Sequence, residues 1–74
     1  MYNLSDLNVG ESGIIKSFND DLIGSKLISM GLYPEKKATV IDTKHNKYAF
    51  FIVIGSLKIA LLKHEAQSVN IQKI

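Results

Sequence analysis

Two histidines, a few carboxylates and a dense set of aliphatic and aromatic side chains are the chemistry available to this 74-residue chain. His45 lies in the polar run "KHNK", and His64 directly precedes Glu65. Imidazole beside carboxylate is a donor set for divalent transition metals, so His64 and Glu65 with Asp42 could in principle hold one. Nothing in their spacing requires it, and two isolated histidines read most simply as surface residues. Enzymatic chemistry needs a nucleophile poised by a base, or carboxylates paired in opposed roles, and neither pattern is present. Cysteine is absent, which excludes disulfides and thiolate metal centres. Gly10 and Gly13 are not followed by the Lys-Ser/Thr pair of a phosphate-binding loop, which argues against ATP or GTP as ligand. We therefore expect no catalytic residue, no cofactor and no metal site.

Contact chemistry is better supported. In "YAFFIVI", residues 48 to 54, alternation places Tyr48, Phe50, Ile52 and Ile54 on one face and Ala49, Phe51 and Val53 on the other. The plain reading is a core strand. Yet so small a domain can hardly bury both faces of an antiparallel strand, so one face is a candidate surface for a partner or a second copy. A proline-rich ligand is disfavoured, because three tyrosines and three phenylalanines must serve both the core and any aromatic groove. Nine lysines against seven acids give a net charge of +2, and arginine is absent. That balance lacks the dense basic patch of a nucleic-acid binder. No run approaches the roughly 20 apolar residues of a membrane span, and "MYNLSDLNVGES" lacks the basic and apolar regions of a secretory leader. We expect a cytoplasmic protein with no direct membrane insertion.

The elements that would carry these residues follow from period and punctuation. "LSDLNVGESG" suggests one loose helical turn tucking Leu4 and Leu7 against the core. Residues 12 to 18 read as a strand with Ile14 and Phe18 inward. Leu22, Ile23, Leu27 and Met30 suggest a short helix with all four on one face, capped by Asp20 or Asp21 and packed closely at Gly24. Gly31 as C′ and Leu32 as C″ predict a Schellman ending with Leu32 on Leu27, and Pro34 fixes the exit. "KKATVIDT" and residues 48 to 54 form a hairpin across "KHNK"; Gly55-Ser56 turns the chain into strand 57 to 62. "KHEAQS" is a helical turn, and "VNIQKI" is a last strand with Val69 and Ile71 inward. The sum is a mostly β domain spanning residues 1–74. Its expected form is a small, partly closed SH3-like barrel of about five strands, with a helix between the first two and a helical turn before the last.

The ordered pieces "LSDLNVGESGII", "KLISMGLYPEKKATVI" and "IVIGSLKIALLKHEAQSVNI" resemble the FeoA family of bacterial ferrous iron uptake. Its domain is similar to the SH3-like domain at the C-terminus of iron-dependent repressors. Glu35 stands where the family carries glycine after Pro34, and Leu62 where arginine is common. The resemblance implies a non-enzymatic accessory protein that docks on the ferrous iron transporter FeoB. On that reading we expect the docking surface at Lys26, Met30, Leu32 and Tyr33 and along Tyr48, Phe50 and Phe51. The alternative it implies is a metal-responsive regulatory domain acting on a transcription factor or other protein.

Overall fold

The computed structural model describes residues 2–74. In chain order they form β1 (Tyr2–Asn3), a 3₁₀ turn (Leu4–Asp6), β2 (Ser12–Phe18), α1 (Asp21–Ser29), β3 (Lys37–Lys44), β4 (Ala49–Ile54), β5 (Leu57–Leu62), α2 (Lys63–Gln67) and β6 (Val69–Lys73). All strands join one antiparallel sheet in the order β1-β6-β2-β3-β4-β5. The sixth strand is β1, two residues that pair Tyr2 with Ile71 and Asn3 with Asn70. The sheet curls into a body of 26 × 25 × 22 Å, the SH3-like form, but β1 and β5 do not pair and the barrel stays open.

Curling lets one sheet enclose its own core. Leu4 and Leu7 from the first turn, Leu27 of α1, Phe50, Ile52 and Leu61 of the β4–β5 hairpin, and Val69 and Ile71 of β6 are all buried there. Two bulges make the curl possible and change which residues face inward. Between β2 and β6 the register shifts at Lys16, so Ile15 and Phe18 lie on the core side although they are three positions apart. Ile15 is buried and Ile14 only half-buried, the reverse of what simple alternation predicts. A second shift at Ile41 turns both Ile41 and Asp42 outward on β3.

Helix α1 begins at Asp20, whose carboxylate accepts the Ile23 amide at 2.9 Å. Leu27 and Gly24 face the core, with Ile23 and Met30 at the margin. Leu22 does not share that face: it stands about 140° from Leu27 around the helix axis and is 85% exposed. Phe18 packs on Gly24, its Cβ only 3.0 Å from where a Gly24 side chain would begin. The helix ends as its residues predict. Leu32 N–H donates to Leu27 O and Gly31 N–H to Ile28 O, each at 3.0 Å, with Gly31 at φ +107°: the two bonds of a Schellman motif.

The exit turn forms despite an unsuitable residue. Lys36 N–H donates to Tyr33 O at 3.2 Å, with Pro34 second and Glu35 third at φ +72°, a type II turn. Backbone bonds to Ile15 hold it on β2, from Glu35 N–H at 2.7 Å and back to Lys36 O at 2.9 Å. Left-handed backbone costs a residue with a side chain about 1–2 kcal/mol, of which glycine's larger unfolded-state entropy recovers part. Glu35→Gly is expected to stabilise the fold by about 0.5 kcal/mol after loss of the exposed Lys16–Glu35 ion pair. Thermal melts of the two proteins check this.

Candidate docking surface

The seven residues proposed as a contact surface separate into four groups. Leu32 and Phe50 are fully buried and unavailable to any partner. Leu32 is consumed by the Schellman contact, and Phe50 points into the core because β4 alternates strictly, with Phe50, Ile52 and Ile54 inward. Lys26 is exposed along its stem, but its ammonium is committed to Glu65 at 2.5 Å, tying α1 to α2. Tyr48 lies in the turn before β4, not in the strand, and is exposed. Met30, Tyr33 and Phe51 remain as reachable apolar groups.

Met30 and Tyr33 line an open cleft of about 490 Å³ between the end of α1 and the β4–β5 turn. Its other walls are Ser29, Gly31, Lys36, Ile54, Gly55, Ser56 and Leu57. Gly31 brings the two sides together: Leu57 Cδ2 comes within 2.5 Å of the position a Cβ would take there. Gly55 at φ +61° permits the tight hairpin that swings Leu57 to this place. Tyr33 and Leu57 are 49% and 42% exposed, so the cleft presents apolar surface to solvent. Lys36 adds the charge, and no carboxylate among the described residues pairs with it. Sequence reasoning missed Lys36, Ile54 and Leu57. The available signal was leucine directly after a two-residue turn, where a polar residue would suffice.

Phe51 belongs to a second surface, the outer face of the sheet. Pairing sets Phe51 beside Ala60, Ala49 beside Leu62 and Val53 beside Lys58, with Ile41 on the adjoining strand. Phe51, Ala49 and Val53 are half-buried, and Ile41 and Leu62 exposed, so this face carries the apolar excess expected of a two-sided strand. A larger hollow of about 560 Å³ beside Tyr2 contains Lys16 and Lys73, but both lysines are ion-paired, to Glu35 and Glu11. Among the described residues it offers no unpaired charge.

His45 sits in the β3–β4 turn and His64 on α2, both exposed. Among the described residues no three His, Cys, Asp or Glu side chains gather to hold a metal ion. Glu65 is instead a structural acid. Burial would raise its pKa, but hydrogen bonds from Lys26 and from the Leu62 amide at 2.9 Å outweigh that and hold it below the ordinary range. Among the described residues no helix is long and apolar enough to cross a membrane.

An open, curled antiparallel sheet of six strands with two short helices defines a small SH3-like domain. The chain belongs to the FeoA family: the FeoA domain matches residues 2–73. That family is associated with ferrous iron transport, and its domain is an accessory one outside the known enzyme families. The crystal structure of an iron uptake regulatory protein, FeoA, is 27% identical at a TM-score of 0.84, covering 97% of this chain and 95% of that one. Stenotrophomonas maltophilia FeoA in complex with zinc is 21% identical at the same TM-score, covering 97% and 91%. A manganese-dependent transcriptional repressor with manganese bound is 16% identical at a TM-score of 0.87 over 97% of this chain and 36% of the repressor. The last two likenesses concern the fold alone. No curated protein sequence matches.

Proposed function

We propose that this domain is a non-enzymatic accessory factor of ferrous iron uptake that docks on the cytosolic side of the transporter FeoB and biases its assembly or gating. Iron passes through the partner. The observation that carries this reading is the cleft between α1 and the β4–β5 turn, where exposed Tyr33 and Leu57 flank half-buried Met30 beside the unpaired Lys36. An aromatic and two flexible aliphatic groups with one cation at the rim suit an apolar anchor with an acidic neighbour. Family membership supplies the transport context. The double variant Tyr33→Ala/Leu57→Ser is expected to weaken binding of the transporter's cytosolic part about 30-fold or more while leaving the melt within a few degrees. Calorimetric titration checks it; unchanged affinity would remove the cleft from the interface.

The likeness to the repressor domain favours a second reading, regulation of another protein in response to metal. Under docking, His45→Ala and His64→Ala leave function intact. Under metal sensing, one of them abolishes a metal-dependent response.

A further inference from the structure

β5 ends the sheet on one side, and most of its outer edge is open. The two-residue turn makes Ile54 and Leu57 a closely bonded pair, and bonded and non-bonded pairs alternate along an antiparallel ladder. Leu57, Ile59 and Leu61 therefore bond to β4, while the backbone groups of Lys58, Ala60 and Leu62 point away from it. Leu62 is already engaged: its N–H donates to Glu65 and its carbonyl opens α2. Lys58 and Ala60, both exposed, keep an N–H and a C=O each for an incoming strand. Edges are ordinarily guarded by proline, bulges or several charges, but this one has no proline, no bulge against β4 and a single lysine. The opposite edge, β1, is only two residues long.

Charge selects the occupant. From His45 to His64 the chain carries Lys47, Lys58 and Lys63 and no acidic residue. A second copy paired edge to edge about Ala60 would set Lys58 against Leu62 and Lys63 against Leu57, gathering the lysines of both copies along one seam without a counter-charge. We propose that the β5 edge takes an extended acidic segment of a partner protein as a seventh strand. The backbone of Lys58 and Ala60 supplies the hydrogen bonds, carboxylates of the segment share the outer face with Lys58, and its alternate apolar side chains take the opposite face, beside half-exposed Leu57. The proposal rests on the reading that this domain works by binding a protein, and adds the chemistry of one binding segment.

The probes are a soluble hexapeptide alternating glutamate with valine and its counterpart alternating lysine with valine, titrated into the labelled protein and followed by NMR. The acidic peptide is expected to shift the Lys58 and Ala60 amides saturably and slow their hydrogen exchange, and the lysine peptide to do neither. Ala60→Pro, which removes an N–H not used by β4, lowers the affinity about tenfold or more, and Lys58→Glu reverses the preference between peptides. Absence of saturable shifts at millimolar peptide, equal binding of both peptides, or shifts at these amides that grow with protein concentration alone would each overturn the proposal. Titrating the transporter's cytosolic part into Ala60→Pro separates the two readings. Undiminished binding there, with Met30 and Tyr33 still shifting, defeats the edge proposal and leaves docking standing. An edge that binds the acidic peptide while the transporter part shifts nothing defeats docking to that part and leaves the edge.

Discussion

Replacing Leu32 with alanine should cost about 2–5 kcal/mol of folding stability. Leu32 is fully buried, and its backbone N–H closes the Schellman motif on Leu27, itself fully buried. Truncation opens a cavity where the helix end meets the core and removes the hydrophobic contact that sets the chain's exit. A domain of this size has only about 5–10 kcal/mol in total and a thin core, so the variant retains little margin at physiological temperature. Urea unfolding at unchanged m-value would show this loss. Tyr33→Ala, one residue further and exposed, should stay within about 0.5 kcal/mol of wild type. The contrast has a functional use, because lost transport in a Leu32 variant would report unfolding, whereas loss in a Tyr33 variant would report docking.

Glu65→Ala should be the next most damaging change, by about 2 kcal/mol. The carboxylate is nearly fully buried, accepts the Leu62 amide at the start of α2, and receives Lys26 from α1. Alanine leaves the Leu62 N–H without a partner and unties the two helices. The pH dependence follows from the direction of the shift. Its folded pKa lies below the ordinary value of 4.5, so its contribution is complete above that value and disappears as pH falls through the folded one. Glu65→Gln should therefore flatten the acid limb of the stability curve. Lys26→Met should weaken it: with the ammonium gone the carboxyl pKa rises toward the ordinary value, while the Leu62 amide still favours the charged form. Stability curves from pH 3 to 7 for the three proteins distinguish these outcomes.

The legible parts of the fold were those written in local chemistry. Asp20, Gly31 and Leu32 specify the helix ends, Gly55-Ser56 specifies the hairpin, and Leu4 and Leu7 specify the first turn, because each acts within a few residues of itself. Ile14 and Ile15 were assigned to the wrong sides because a bulge at Lys16 is set by β6, some fifty residues away, and leaves no local trace. Leu22 was grouped by spacing with Ile23, Leu27 and Met30 on one face, but five residues of helix turn it about 140° from Leu27. Which of the residues expected at a contact surface are exposed was not legible. Strand alternation hides Phe50, an ion pair across the fold occupies Lys26, and Leu57 reaches the cleft only through contact with Gly31. Glu35 holds a left-handed conformation that its type disfavours, because backbone bonds to Ile15 and the preceding Pro34 leave it no other.

The docking account is tested most directly by titrating the GTP-binding cytosolic part of the transporter into the isotopically labelled domain and following its backbone amides. The account predicts saturating shifts at Met30, Tyr33, Lys36 and Leu57, extending to Phe51 on the outer face, with the amides around Tyr2, Lys16 and Gln72 unmoved. Shifts confined to the hollow beside Tyr2, or none at millimolar partner, would contradict it.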